Sequence, residues 1–486
     1  MKIALFEFDL ERYPICLQLE YALDKLTEGH EVTWYRPKQT GWLNLDFKFS
    51  RLVNKIIDAN NLSYALNQLI STFENFEVKH LQSPSMPYSH EVESESIQKA
   101  WQEVSVRLRD SAPCSSHDQS LANKFRMTYS KLYFQAKKIL SQENFDEIVV
   151  FNGRFLCHNA IWQSAKDLGL RIVFLERFNL DWNTRYFVFD QPVHSSVYRA
   201  NVMKSFLETH PDSHGSKVIA AKSWFENRIF NSGSSFTADQ SQTFKRPKEV
   251  KTVISFFHSS EDELFTIGLQ PIYWKNQFEA INSISKYVSS RNDVRLFVRL
   301  HPNLRYKSSR EQKRWRIFAE RIGSEKVKFI FPEESTKTYS LLLQSDKVLT
   351  FGSTIGVEAS WLRIPSGLMS SALHRELKVC ETINCEAELF NFLDGNWNYQ
   401  VSRFDLYAYS FFLKLGGQSF TYLKVNTNGE QLQDPIYSYA GRSLGSSRLL
   451  SGIKRIEGFM IQLSRRMRSI NCQLDHFPYT HDHIAG

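Results

Sequence analysis

What most constrains this chain is a series of short apolar runs, each stopping abruptly at polar residues and followed by residues at helical spacing. Val298-Arg299-Leu300 ends in His301-Pro302. Val348-Leu349-Thr350-Phe351 ends in Gly352-Ser353-Thr354, ahead of Ile355-Gly356-Val357-Glu358-Ala359. Runs of this kind read as strands covered on both faces, which is the parallel sheet of an α/β fold. In an open parallel sheet, ligands bind outside the carboxyl ends of the strands. Ser353 and Thr354 fall where a strand gives way to a helix, so backbone N–H groups and the helix dipole favour an anion there. The two strand ends predict a pocket for a phosphorylated ligand, with a nucleotide as the leading case.

The same rhythm organises the chain into two α/β halves. Lys2 to Phe8 reads as a strand, Ile15 to Leu26 as a helix closed by Gly29, and Glu31 to Tyr35 as the next strand. The first turn, Phe8-Asp9-Leu10-Glu11-Arg12, has no glycine, so a dinucleotide fingerprint is absent. A Ser-, Pro- and acid-rich insertion at about 81–120, with a helix near Ile97 to Leu108, precedes a helix from Leu121 to Leu140. Two strands follow: Glu147 to Phe151, ending in Asn152-Gly153-Arg154, and Arg171 to Leu175, ending in Glu176-Arg177. Residues 1–235 are expected to form an N-terminal Rossmann-like domain, and 236–249 a linker. Residues 250–400 are expected to form a second Rossmann-like domain, and 401–486 a helical extension.

Composition narrows the function classes. Of 486 residues, 42% are hydrophobic and 23% charged, which suits a globular core. No run approaches the roughly 18–20 apolar residues of a membrane span. The N-terminus has no signal-peptide pattern, so a cytoplasmic location is expected. Six scattered cysteines without a Cys-x-x-Cys read as reduced thiols. The net charge of +8 suits anionic small substrates or an anionic membrane surface, and no nucleic-acid motif accompanies it.

Three clusters in the second half carry potential chemistry: His258-Ser259-Ser260-Glu261-Asp262-Glu263; Arg299 with His301-Pro302-Asn303; and Gly352-Ser353-Thr354 with Glu358. The Ser353 and Thr354 hydroxyls suit a phosphate. His301 suits a phosphate oxygen or base edge, with Pro302 fixing the turn, and Glu358 a ribose hydroxyl. Each fragment alone is also compatible with an ordinary turn or N-cap.

The order strand-His301-Pro302, then Pro332-Glu333, Tyr339-Ser340-Leu341-Leu342, Ser345-Asp346-Lys347-Val348, Gly352-Ser353-Thr354 and Glu358-Ala359 resembles the C-terminal halves of bacterial GT-B glycosyltransferases. The nearest resemblance is to the capsule polysaccharide synthesis group and the sialyl- and Kdo-transferases, over about Thr252 to Pro365. It implies two Rossmann-like domains facing across a cleft and a nucleotide-sugar donor, CMP-activated in those families. In them a His-Pro motif, here His301 and Pro302, and a Ser-Ser/Thr motif, here Ser353 and Thr354, hold the nucleotide. Related arrangements in UDP-sugar 2-epimerases and CDP-glycerol phosphotransferases leave the donor open.

An inverting transfer needs a general base and groups that stabilise the departing phosphate. The short acidic-acidic-Gly base motif of the sialyltransferases is absent. Glu176, Glu261 and Asp262 are the base candidates, and Asn152 and Arg154 are candidates for an acceptor or donor phosphate. No Asp-x-Asp stands in the expected place, so neither a metal nor another cofactor is implied. Apolar residues at Leu449, Ile453, Ile456, Met460, Leu463 and Met467, flanked by arginines and lysines, describe a basic amphipathic helix. Such a helix suits peripheral contact with an anionic inner membrane, or packing on the body. The expectation is a metal-independent, inverting glycosyltransferase that passes a sugar to a glycan or lipid-linked saccharide of capsule or lipopolysaccharide. The rival expectations are a nucleotide-sugar epimerase of the same fold and a non-catalytic polysaccharide assembly protein.

Overall fold

Strand β1 (Lys2–Phe6) is apolar after its first residue and buried from Ile3 onward, so it must lie inside a sheet. The computed structural model describes residues 1–8, 12–37, 62–81, 92–177, 185–230, 241–269, 271–396, 400–426, 436–439 and 442–444. These fall into two units. The first comprises Met1–Arg107, Pro113–Val193 and the chain from Gly417, and the second Leu108–Ala112 and His194–Gly416. The protein is mixed α/β, with one mainly parallel sheet per unit.

In the first unit, β2 (Glu31–Pro37), β3 (Phe76–Leu81), β4 (Glu147–Phe151) and β5 (Arg171–Arg177) join β1 in parallel. Strand β6 (Arg185–Phe189) closes one side antiparallel, and the short strand Gln418–Ser419 pairs beyond it. The order β6-β5-β4-β1-β2-β3 places β1 and β4 side by side where the winding reverses. The helix Arg12–Thr27 lays Cys16, Leu19, Leu23 and Leu26 on Ile3, Leu5, Trp34 and Val149. Gly29, at φ 82°, ends the turn after it, as the sequence predicts.

The helix Ser116–Gln142 begins five residues ahead of its expected start at Leu121. Its Ser115–Asp118 capping box adds a polar first turn that apolar spacing does not register. Strands β3 and β6 were not anticipated. Strand β3 carries Glu77, Lys79 and His80 at the sheet edge, so it lacks the apolar run of a central strand.

In the second unit, β7 (Thr252–Phe257), β8 (Val294–Arg299), β9 (Val327–Ile330), β10 (Lys347–Thr350), β11 (Ser366–Leu368) and β12 (Glu381–Thr382) are all parallel. Their order is β12-β11-β10-β7-β8-β9, a doubly wound sheet whose direction reverses between β7 and β10. Every expected strand from β7 to β10 is present. Helices Ser196–Thr209, His214–Phe230 and Arg403–Leu415 pack on one another through Phe206 and Phe411 (5.5 Å) and Trp224 and Tyr409 (5.6 Å). Phe225 stacks on Trp361 at 4.4 Å.

Two chain excursions tie each unit together. Asp110, fully buried, accepts from Ser308 Oγ (2.8 Å), Arg310 Nε (3.1 Å) and Arg314 Nη2 (2.9 Å). In the first unit Glu20, almost fully buried, accepts from the backbone N–H groups of Thr421, Tyr422 (2.9 Å) and Leu423 (2.8 Å). After the helix Arg403–Leu415, the described part of the C-terminal extension consists of short strands. The basic amphipathic helix expected from Leu449 to Met467 lies outside the described residues.

Glu20→Ala leaves three backbone donors without their acceptor. The expected loss is about 3 kcal/mol, because each buried unsatisfied group costs on the order of 1–3 kcal/mol before relaxation. Denaturant unfolding checks it against Glu31→Ala, an exposed carboxylate expected to fall within about 0.5 kcal/mol of wild type.

Candidate functional site

The reversal between β7 and β10 leaves the carboxyl ends of these strands beside a crevice, where open α/β sheets take their ligands. From β7 emerge His258, Ser259 and Ser260; from β8, Arg299 at its end and then His301 and Pro302; from β10, Gly352, Ser353 and Thr354. The structure thus brings all three sequence clusters to the carboxyl edge of one sheet.

Two imidazoles are locked together there. The His301 N–H donates to His258 Nδ1 at 3.0 Å, and His301 Nδ1 accepts from the Asn303 N–H at 3.1 Å. Each Nδ1 is therefore an acceptor, which puts the proton of each neutral ring on Nε2. His258 packs edge-on against Trp315 at 4.5 Å. Burial pushes the His258 pKa well below its ordinary value and lowers His301 to about 4, with Lys307 and Arg299 repelling the charged form of His301. At neutral pH both rings are neutral Nε2–H donors.

Arg299 is 2% exposed. Its Nη1 donates to the Phe331 carbonyl at 2.8 Å, while Nε and Nη2 are buried without a partner among the described residues. Burial lowers its pKa to about 10, so it stays cationic at neutral pH. A buried cation with two unanswered donors is costly unless something supplies acceptors and negative charge. The Ser259 and Ser260 hydroxyls are likewise buried and unpartnered. Gln277 holds their loop, accepting from the Ser259 N–H at 2.8 Å and donating to its carbonyl at 2.9 Å.

The acidic residues after β7 start a short helix, Glu261–Thr266, and differ sharply in environment. Asp262 is clamped by Lys307 Nζ at 2.7 Å from both carboxylate oxygens. Glu261 accepts only the Gln277 N–H, at 2.8 Å, among its described hydrogen bonds. Burial raises its pKa to about 7. Of this pair, Glu261 has the ionisation expected of a base.

At β10, Gly352 has φ 130°, and a Cβ there would lie 3.1 Å from a Leu264 methyl, so only glycine fits this turn without strain. The helix that follows, Ile355–Trp361, is short. The Val357 and Glu358 N–H groups already donate to the Thr354 carbonyl (2.9 and 3.2 Å). Thr354 Oγ1 lies 3.3 Å from Arg228 Nη2, and Arg228 Nε donates to Glu358 Oε1 at 2.5 Å. Glu358, read from sequence as a ribose acceptor, is fully buried against Arg228.

The remaining candidates lie in the first unit. Asn152, at φ 46°, accepts the Arg154 N–H on Oδ1 at 3.0 Å, and the Arg154 guanidinium lies over Phe155 at 4.6 Å. Glu176, in β5, accepts the neighbouring Arg177 N–H at 2.6 Å. Sequence reasoning did not find Arg228, Gln277 or Lys307 as partners of the site. Arg228 lies far along the chain from Thr354 and Glu358, and no motif marks any of the three.

No group of three or more His, Cys, Asp or Glu among the described residues is placed to hold a metal ion. No helix among them is long and apolar enough to cross a membrane.

No protein-family model matches this sequence, and no curated protein matches it. Among solved structures it is similar to the β-Kdo 2,7 transferase of KpsC from Thermosulfurimonas dismutans, with 12% identity and a TM-score of 0.35 over 71% of this chain and 97% of that one. It is also similar to KpsC β-Kdo 2,4 transferase from the same organism, with 11% identity and a TM-score of 0.33 over 64% and 87%. A third is UDP-GlcNAc 2-epimerase from Methanocaldococcus jannaschii, with 12% identity and a TM-score of 0.28 over 84% and 97%. At these values no substrate or residue role transfers to this chain.

Lys307→Met strands the buried Asp262 carboxylate, and the expected loss of stability is about 3–5 kcal/mol. Lys307→Met combined with Asp262→Asn should recover most of it. Chemical denaturation of the two variants measures both.

Proposed function

We propose that this chain is a glycosyltransferase of GT-B type, taking a nucleotide sugar at the second unit and passing its sugar to a surface-polysaccharide acceptor bound at the first. The observation that carries the reading is Arg299, a buried cation with two unanswered donors beside the paired histidines at the winding reversal of a doubly wound sheet. A nucleotide phosphate matches that need in charge and in acceptor atoms. In this reading Arg299, His301 and the turn from Gly352 to Thr354 hold the nucleotide, with Pro302 fixing the backbone of His301. Thr354 and Glu358 act through Arg228, which keeps the short helix in place.

Transfer proceeds by inversion. Glu261 removes the proton of the acceptor hydroxyl as that oxygen attacks the anomeric carbon, and the bond to the nucleotide phosphate breaks. The charge on the departing phosphate is met by the Arg299 guanidinium and the His301 Nε2–H, so the step is metal-independent. Glu176 is the base to test if Glu261 proves dispensable. Asn152 and Arg154 belong to the acceptor side, and the chain works in the cytoplasm, at the inner face of the membrane where lipid-linked acceptors are found.

The test is a thermal-shift series with CMP, UDP, GDP and CDP. Stabilisation by CMP alone selects a CMP-sugar donor, and Arg299→Met should abolish whichever response is seen. No response to any nucleotide removes the reading. Conversion of a UDP-sugar without an acceptor would replace it with the epimerase, and intact polymer production in cells carrying His301→Ala would point to a non-catalytic assembly role.

Transfer rate should rise with pH through about 7, the pKa of Glu261, because only its ionised form accepts the proton. Glu261→Gln should lower the rate by about 10²–10⁴-fold and remove that limb of the profile. An unchanged pH profile in that variant shifts the role to Glu176.

A further inference from the structure

The transfer chemistry above leaves two buried hydroxyls of the donor crevice without a role. In the second sheet, β7 lies between β8 and β10. A phosphate held jointly by Arg299 and His301 from β8 and by the turn Gly352 to Thr354 from β10 therefore lies across the end of β7. The residues that emerge there are His258, Ser259 and Ser260. They are tied to both neighbours. Phe257 pairs with Arg299 in the ladder, the His258 N–H donates to the Arg299 carbonyl at 3.0 Å, and the His301 N–H donates to His258 Nδ1 at 3.0 Å. On the other side Leu264 packs against the turn, where a Cβ on Gly352 would lie 3.1 Å from its methyl.

The backbone of this loop is held on both sides. Gln277, with no exposed surface, accepts the Ser259 N–H at 2.8 Å and donates to the Ser259 carbonyl at 2.9 Å. The Ser260 carbonyl accepts from the Glu263 and Leu264 N–H groups at 3.1 and 3.2 Å. The hydroxyls are not engaged. Ser259 is 6% exposed and Ser260 8%, and neither Oγ has a partner among the described residues. Ser260 stands at the N-cap of the helix Glu261–Thr266, where a serine oxygen ordinarily accepts a backbone N–H of the first turn. Its side chain makes no such bond. A buried hydroxyl without a partner costs stability. Two in succession stand here beside a buried cation, Arg299, whose Nε and Nη2 are also unanswered among the described residues.

We propose that Ser259 and Ser260 are phosphate-binding residues, whose hydroxyls donate to the nonbridging oxygens of the donor phosphate that Arg299 holds. This deepens the reading of the second unit as the donor side and rests on it. A hydroxyl suits that place, because its proton rotates to meet an anion and a bond to a charged acceptor is stronger than a neutral one. Arg299 supplies the charge and the serines supply donors from the neighbouring strand, so one phosphate group answers the open donors of both strand ends. Folding and binding then place opposite demands on the two hydroxyls.

That opposition is the test. Ser259→Ala, Ser260→Ala and the double variant of the full chain are compared with wild type by thermal unfolding. Calorimetric titration with CMP, UDP, GDP, CDP and inorganic pyrophosphate gives their affinities. Without ligand, each Ala variant should melt at or above the wild-type temperature, because an unanswered polar group has been removed. Affinity for the nucleotide that binds wild type should fall by about tenfold or more. Ser259→Cys and Ser260→Cys replace the hydroxyl by a much weaker donor at similar volume, and should lose affinity likewise. Unchanged affinity in the double variant overturns the proposal. So does a melting temperature that falls in the Ala and Cys variants alike, which would make the hydroxyls structural. If wild type binds no nucleotide, the transferase reading falls by itself and pyrophosphate decides the site. Pyrophosphate binding that is lost in the double variant keeps it as a phosphate site, whereas unchanged binding, or none in wild type, removes it.

Discussion

The hydrogen bond from the His301 N–H to His258 Nδ1 is the contact on which the second unit's crevice depends. Strands β7 and β8 are parallel neighbours, so their ladder fixes register only as far as Phe257 and Arg299. One further backbone bond, from the His258 N–H to the Arg299 carbonyl at 3.0 Å, closes the ladder. The His301 bond carries the pairing one step further and fixes Nδ1 of His258 as an acceptor, while the Asn303 N–H does the same for His301. The His301 side chain caps the turn Pro302–Tyr306, and Lys307, at the end of that turn, reaches back to Asp262. Three successive contacts thus order two imidazoles, a turn and a buried ion pair.

Around that bond the site divides into groups that are satisfied and groups that are not. Asp262 and Thr354 have their partners within the protein, and so does Glu358 on its Oε1. Arg299 Nε and Nη2, the Ser259 and Ser260 hydroxyls and Glu358 Oε2 have none among the described residues. The satisfied groups hold geometry, and each unsatisfied one carries a desolvation cost that the fold itself does not repay. The first unit repeats this division: Asn159 and Tyr129 are bonded to one another, while Gln102 and the Arg154 Nε are left open.

Much of the architecture was legible in the sequence. The central strands of both sheets read correctly because burial on two faces writes itself as continuous apolar runs, as in Val253 to Phe257. Edge strand β3, with Glu77, Lys79 and His80, carries no such record. The strand order was not legible, since it depends on which distant runs pair. In the site, the positions of His258, Arg299, His301 and Gly352 could be read as strand ends. Their states could not: the Glu358 partner comes from a helix 130 residues earlier, and the Asp262 partner lies 45 residues on. Residue types at a strand end announce a site, while the distinction between a base and half of an ion pair is decided by tertiary neighbours.

The tie between Glu20 and residues 421–423 has a consequence for the life of the chain before it is complete. Glu20 leaves the ribosome about four hundred residues ahead of its three backbone donors. Meanwhile the whole stretch from His194 to Gly416, the bulk of the other unit, is synthesised. Asp110 likewise precedes the arginines it binds by two hundred residues. Domain-by-domain folding from the N-terminus is therefore closed to this protein. Its first unit can be sealed only after all of its second has emerged, and a nascent chain stalled before residue 421 would hold a carboxylate in the core with its anchors missing.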